Sequence, residues 1–274
     1  LAARDAAEVI EVKYSGLPVA ADIAGARMKG APAVHAEAPD NVAFDHILGN
    51  RDKTDAIFAT APRVISLDVV NNRIIANYME PRSIVVEPQK NDHLLITIGS
   101  QGVHGLRNTL AKFIFKVDPK TIRVVTPDVG GGFGTKTFMY REYPLAVFAA
   151  KALGKPVRWA SDRTEHFFAC AHGRDNLTRA EMALDEKGKF LAMRVNLDAN
   201  MGAFLSQYGP YIPWIGSTML TGVYDIPAGY TRIRGIYSHT VPFDAYRGAG
   251  RPEAAYTVER LVDFIADEIG MDRL

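Results

Sequence analysis

The 274-residue sequence predicts an α+β fold of mixed α/β type. Three observations carry that expectation. Short apolar runs rich in β-branched residues are interspersed with stretches of helical spacing. The two kinds of element do not alternate strictly, which argues against a pure repeat of strand and helix. Two glycine-rich turns each stand just ahead of a helical pattern, Val129–Lys136 and Asp244–Glu253.

The elements are expected in this order. Ala2–Ala7 ends a helix, and Val9, Ile10, Val12 and Tyr14 form a strand closed by Ser15-Gly16-Leu17-Pro18. Residues 22–50 are rich in Ala, Gly and Pro and predict an irregular connector between domains. Strands follow over 54–70 and 74–86, then a compact one over His93–Gly99 (HLLITIG). Leu106–Lys116 has helical spacing, and Ile122–Val125 returns to strand. After the first glycine loop a helix is expected over 138–153, with Tyr143, Val147, Ala150 and Leu153 on its buried stripe. Strands at 157–160, 178–184 and 190–199 come next, the last two joined by a hairpin turn at Glu186–Lys189. A strand at 232–238 precedes a helix opened by Pro252 and stopped by Gly270.

Composition narrows the class. Hydrophobic residues make up 47% and charged residues 23%, enough for one large domain or two modest ones with a sizeable core. Thirty-two basic residues balance 31 acidic ones, so neither a nucleic-acid stripe nor a membrane-binding face is expected. No apolar run reaches the roughly 18 residues of a spanning helix. The opening LAARDAAEVIEV lacks the basic start of a signal peptide. The single cysteine, Cys170, forbids an internal disulfide and suits a reducing, cytoplasmic setting. A start at Leu1 without methionine and a stop at Leu274 just after a helix suggest a piece of a longer subunit.

Three segments could carry chemistry. In Val129-Gly130-Gly131-Gly132-Phe133-Gly134-Thr135-Lys136, consecutive glycines let the backbone approach a ligand closely, and a helix start beyond it would favour an anion. The same residues also suit a plain strand-to-helix turn. They match neither a Walker loop nor the dinucleotide fingerprint, which fails at its last glycine. Asp244-Ala245-Tyr246-Arg247-Gly248-Ala249-Gly250-Arg251-Pro252-Glu253 places two arginines among small residues at a helix start, where a guanidinium could grip an anion or stay solvated. Gln101, past the HLLITIG strand, could aim an amide at a ligand oxygen, or be an ordinary loop residue. Histidine spacing fits no zinc site, no serine elbow exists, and Cys170 is expected to be buried as a small apolar residue with only His172 near it. Asp162, Arg163 and Glu165 are expected to form a surface ion-pair cluster.

Taken together and in order, Gln101, VGGGFGTK and AYRGAGRPE resemble the large subunit of the molybdenum hydroxylases: xanthine dehydrogenase, aldehyde oxidase and aerobic carbon monoxide dehydrogenase. Asn77-Tyr78-Met79-Glu80-Pro81-Arg82 and Asn200-Met201-Gly202-Ala203-Phe204 also look like family segments. The resemblance implies a first molybdopterin-binding domain over 51–274, preceded over 1–50 by the tail of an α/β hammerhead domain and a connector. It implies a molybdenum–molybdopterin cofactor, in its cytosine dinucleotide form, contacted by Gln101, Gly132, Phe133, Gly134 and Arg247, with no side chain ligating the metal directly. It implies hydroxylation with a water-derived oxygen. The general-base glutamate is expected beyond Leu274, so no catalytic residue is expected within the chain. Implied partners are the remainder of the large subunit, an iron–sulfur small subunit with [2Fe–2S] clusters and an FAD medium subunit, assembled as a dimer of heterotrimers.

Departures from the family bear on substrate. Thr137 stands where xanthine enzymes carry glutamate, and Ala249 where they carry phenylalanine. Gly248 occupies the position of the copper-ligating cysteine in true carbon monoxide dehydrogenases. AYRGAGR therefore resembles the carbon monoxide dehydrogenase-like class, for which an aldehyde or N-heterocycle substrate is expected at a site including Thr137, Gly248 and Ala249. The alternatives are true carbon monoxide dehydrogenase activity or a non-catalytic nucleotide- or ligand-binding module.

Overall fold

Two sheets, each with its own apolar core, organise the computed structural model, which describes residues 2–273. The larger sheet has five strands in the order β1 (Val42–Gly49), β11 (Gly229–Tyr237), β10 (Phe190–Gly202), β9 (Asn176–Leu184) and β2 (Arg63–Asn71). Only β10 and β11 run parallel within it. The smaller sheet has four, in the order β6 (Ile122–Val125), β5 (Leu94–Ile98), β4 (Ser83–Pro88) and β7 (Val157–Ala160). A short ladder joins β3 (Ile74–Ile75) to β8 (His172–Gly173).

Each core follows from residue periodicity. In β4 and β5 alternate side chains turn inward, burying Ile84, Val86, Leu94, Ile96 and Ile98. Helix α5 (Glu142–Leu153) lays Tyr143, Val147 and Ala150 against them. Helix α8 (Arg251–Ile269) buries Ala254, Val258, Leu261 and Ile265 over the larger sheet, with Pro252 in its first turn and Gly270 at φ +68° ending it. Asp185 fixes the expected hairpin between β9 and β10, its carboxylate accepting from the Lys187 and Lys189 amides at 2.8 Å each.

Several expectations are corrected. Residues 54–70 are not one strand: helix α3 (Arg51–Thr60) comes first, because the Asn50 side chain caps it at the Lys53 amide and Thr54 and Phe58 bury one face. The β-branched run that favours a strand starts only at β2. The expected connector over 22–50 is ordered at both ends, by helix α2 (Ile23–Arg27) and by β1, which pairs with β11 throughout. Phe44 of β1 fills the space over Gly235, so this segment packs with the larger sheet. Val9–Tyr14 follows helix α1 (Ala2–Glu8) but has no ladder partner, and its apolar side chains are exposed; without a neighbour it is not a strand. Residues 74–86 hold β3 and β4 with an irregular stretch between them. The helix expected over 106–116 is α4 (Val103–Asn108) continued as a π-helical run over Thr109–Phe115. Helices α6 (Arg163–Ala169) and α7 (Tyr211–Ser217) were not legible in the sequence. Asp162 caps α6 through the Glu165 amide and Arg163 bonds Asn77 and Met79, in place of the expected ion-pair cluster. Among the described residues no helix is long and apolar enough to cross a membrane.

Replacing the cap of α3, Asn50→Ala, is expected to destabilise the fold by about 1 kcal/mol. An unchanged denaturation midpoint would show that the cap contributes nothing.

Candidate functional site

The first glycine loop leaves β6 and is braced from beneath by the irregular stretch between β3 and β4. The Gly130 amide donates to Glu80 Oε2 at 2.8 Å, and the Glu80 amide donates to the Gly130 carbonyl at 3.2 Å. Lys136, at the other end of the loop, places Nζ 2.6 Å from the same Glu80 oxygen and 4.6 Å from the Tyr78 ring centre. Its side chain is fully buried. Burial works against ionisation of Glu80, yet the Lys136 ammonium and the Gly130 amide hold its carboxyl below the usual range.

Between these anchors the loop is tightly constrained. Phe133 sits at φ +50°, a left-handed conformation costing about 1–3 kcal/mol for a residue with a Cβ. A Cβ on Gly132 would lie 2.5 Å from Gln101 Oε1, and one on Gly134 would lie 2.5 Å from the Ala245 carbonyl oxygen. Gln101 explains the first closeness. Its Oε1 accepts from the Gly134 amide at 2.9 Å and the Lys136 amide at 3.3 Å, and the Gln101 backbone N–H donates to the Lys136 carbonyl at 3.1 Å. Its Nε2 has no partner among the described residues, so only donors are left to face outward.

The second loop, between β11 and α8, meets the first directly. The Arg247 amide donates to the Phe133 carbonyl at 2.8 Å. Gly248, Ala249 and Gly250 are consecutively left-handed, at φ +95°, +49° and +90°. Buried Asp244 accepts from the Ala245 amide at 2.6 Å and the Tyr208 amide at 3.1 Å, and burial raises its carboxyl above the usual range. The Arg247 guanidinium is exposed and has no protein carboxylate within ion-pair distance among the described residues. Helix α8 is preceded by Gly250 with no side-chain cap; in its first turn the Arg251 amide donates to the Gly248 carbonyl at 3.3 Å, Pro252 has no N–H, and Glu253 places a carboxylate at the positive end.

Gln101, Gly132, Phe133, Gly134 and Arg247, expected together, thus lie around one seam, with Gly248 and Ala249 beside Arg247. Thr137 sits behind it, its amide bonded to the Gly134 carbonyl, and lines a separate cavity of about 210 Å³ with Met139 and Tyr208. The helix start expected just after the first loop is absent. Phe138 and Tyr140 draw the chain into the core through a short 3-10 turn, and α5 begins only at Glu142. Only the second loop carries a helix N-terminus.

Three supporting residues, Tyr78, Glu80 and Arg82, fall in a segment that the resemblance marks without giving any of them a role; Arg174 is not singled out by the sequence. Charged or polar side chains spaced among apolar ones in NYMEPR were the available signal. Arg82 is fully buried, bonded to the Glu142 carboxylate and 3.6 Å from the Tyr140 ring centre. Cys170 is buried as expected, but among polar groups. The Tyr140 and Tyr78 hydroxyls lie 3.3 and 3.5 Å from its sulfur. Burial pushes the thiol up, but His166, Tyr140 and Tyr78 outweigh it and bring its pKa to about 7. His172 is not its partner: that ring bonds the Phe167 carbonyl. A cavity of about 500 Å³, lined by residues such as Tyr140, Phe204 and Pro242, shares no residue with the seam.

The donor set fits an anionic or oxo-bearing ligand: the Gln101 side-chain amide and the exposed Arg247 guanidinium, neither with a partner among the described residues. Nearby carboxylates are each already engaged, Glu80 by Lys136, Glu253 by Arg174 and Asp244 by amides. The profile of the molybdopterin cofactor-binding domain matches residues 34–274. The gamma subunit of the 6-hydroxypseudooxynicotine dehydrogenase complex of Paenarthrobacter nicotinovorans is 31% identical over 99% of this chain and 34% of its own length. The carbon monoxide dehydrogenase large chain of Hydrogenophaga pseudoflava is 34% identical, over 99% of this chain and 36% of its own. Quinoline 2-oxidoreductase from Pseudomonas putida 86 superposes with a TM-score of 0.91 at 30% identity, covering 99% of this chain and 34% of that one. The chain spans about a third of the length of each of these three relatives.

Two outcomes test this geometry. Gly134→Ala, which combines a left-handed backbone with a clash on the Ala245 carbonyl, is expected to destabilise by about 1–3 kcal/mol in chemical denaturation. Burial, and then the Arg73 charge, lower the His172 pKa from 6.5 to about 4. The unfolded chain therefore binds the proton more readily. The stability contributed by neutral His172 is complete above pH 6.5 and is lost as pH falls towards 4, by up to about 3 kcal/mol. Denaturation midpoints for His172→Gln should lose much of that pH slope; an identical slope in both proteins rejects the assignment.

Proposed function

The chain belongs to the molybdopterin cofactor-binding domain family, and from that premise we propose that it forms part of the cofactor pocket of a molybdenum hydroxylase large subunit. The observation that carries the reading is the joined pair of loops, with their unpaired donors on one side. In this reading Gln101 Nε2, the backbone of Gly132, Phe133 and Gly134, and the Arg247 guanidinium hold the cofactor. When bound, that group supplies oxidative hydroxylation with oxygen drawn from water. The chain's own part is positioning. Gln101 is fixed by two amides at its carbonyl end, so its NH₂ presents hydrogen in one direction. Arg247 supplies a fork suited to phosphate or oxo groups, and a side chain at Gly132 or Gly134 would collide with Gln101 or the Ala245 carbonyl, so the loop backbone itself lines the seam.

A cytosine dinucleotide form of the cofactor belongs to the same proposal, as do FAD and [2Fe–2S] clusters on companion subunits in a dimer of heterotrimers. One cysteine cannot supply the four thiolates of a typical [2Fe–2S] cluster, which supports placing the clusters elsewhere. The relatives are a gamma subunit and a large chain, names that belong to multi-subunit enzymes. The general base is then a glutamate outside this sequence, and the free buried Cys170 supports a reducing, cytoplasmic setting.

For substrate we favour an N-heterocycle or an aldehyde. Similarity to enzymes named for quinoline and for a nicotine derivative supports the former. Identity to a carbon monoxide dehydrogenase keeps that activity as a second reading. Against it, Gly248 has no side chain to ligate copper, and a Cβ there would lie 2.3 Å from Pro252 Cγ. Metal and pterin analysis of the intact complex is expected to find molybdenum and pterin stoichiometric with this chain and little copper, and turnover in oxygen-18 water is expected to place the labelled oxygen in the product. Copper equal to molybdenum with carbon monoxide turnover would overturn the substrate assignment. Absence of both molybdenum and pterin would favour a non-catalytic binding module.

A further inference from the structure

We infer that Arg174 is a positioning residue for the proposed cofactor pocket, holding the loop that carries Arg247 in place from behind. Arg174 lies in the turn between β8 and β9, remote in sequence from both glycine loops. Its guanidinium nevertheless reaches three parts of the second one. Nη1 donates to Glu253 Oε1 on α8 at 2.9 Å, Nη2 donates to the Arg247 carbonyl at 2.8 Å, and the group lies 5.0 Å from the Tyr246 ring centre. Both members of the ion pair are largely buried, the side chains being 11% and 6% exposed. A planar fork with donors at fixed angles can serve a carboxylate and a carbonyl at once, which a lysine cannot do in the same geometry.

The turn is built to hold that guanidinium still. Arg174 and Asp175 are both left-handed, at φ +64° and +65°, and neither is glycine. Such strain persists only where the surroundings over-determine it. Here Asp175 is bonded by Arg73 at 2.8 Å and by the Asn200 side chain at 2.9 Å, while the Asn200 amide donates to its carbonyl. Just before the turn, β8 runs alongside the entrance to the loop: the His172 amide donates to the Pro242 carbonyl, and the Asp244 amide donates to the His172 carbonyl. Gly173 packs so closely that a Cβ there would lie 2.4 Å from Tyr246 Cβ. The segment 172–175 is therefore a fixed wall against which residues 242–247 lie, and Arg174 is its clasp. Because the Arg247 amide in turn holds the Phe133 carbonyl, the clasp acts on the first loop too.

This inference rests on the proposed cofactor reading, and the test separates the two. Arg174→Gly keeps the left-handed backbone without strain and removes the whole side chain with its guanidinium; Arg174→Lys keeps the charge and removes the fork. Both are made in the intact multi-subunit enzyme. Amide hydrogen exchange over 245–250, which needs no cofactor, is expected to quicken by about 10–100-fold in both variants, with the global unfolding midpoint of the Lys variant little changed. Pterin and molybdenum per chain should fall by a similar factor, and kcat should fall more than KM rises. Unchanged exchange over 245–250 in the Lys variant overturns the inference, even if the Gly variant fails to fold. Quickened exchange in a wild-type-like complex that never contained pterin would leave the clasp standing and reject the cofactor reading instead.

Discussion

Everything at the site depends on one backbone hydrogen bond, from the Arg247 amide to the Phe133 carbonyl, and on the close approach of Gly134 to Ala245 next to it. The two loops belong to different cores. Phe138, past the first loop, is buried with the four-stranded sheet, whereas Phe243, before the second, is buried with the five-stranded one. Ala245 packs against both. The seam is thus where two independently stabilised bodies of side chains are joined. The donors around it keep their relative positions because neither core can shift without breaking that bond.

Four of the eight non-glycine residues with positive φ lie at the same place. Phe133, Ala249, Arg174 and Asp175 all carry a Cβ in left-handed backbone. Each sits beside an ion pair or a bonded carboxylate: Lys136 with Glu80, Arg174 with Glu253, Arg73 with Asp175. Ion pairs of this kind contribute little net stability, since desolvation offsets much of their attraction. Their effect is on register. A charge that can be satisfied in only one place fixes the chain segment that bears it, which suits a ligand pocket better than an apolar contact free to slide.

What was legible in the sequence follows from this division. The glycine loops and Gln101 could be read because their residue types are unusual at that spacing, and the long α8 because its apolar period is sustained from Ala254 to Ile265. Helix α3 was misread because its cap is one asparagine at the end of a strand, and β1 because its pairing with β11 spans most of the chain. Short helices such as α6 and α7 have too few turns to establish a period. The braces were hidden for a different reason. Glu80 and Arg174 act on loops 50 and 73 residues away in sequence, and no local pattern announces a partner at that distance.

The stacking of Gly248 on Pro252 has an evolutionary reading. Position 248 is left-handed, and the direction a side chain would take is blocked by the proline ring, at 2.3 and 2.5 Å. A cysteine introduced at 248 by one mutation would meet both obstacles at once. Pro252 would have to be replaced in the same lineage, giving up the preorganised first turn of α8. A side chain at 248 and the proline at 252 are therefore mutually exclusive in this backbone, so the rigid first turn of α8 and an empty position beside Arg247 are two sides of one constraint.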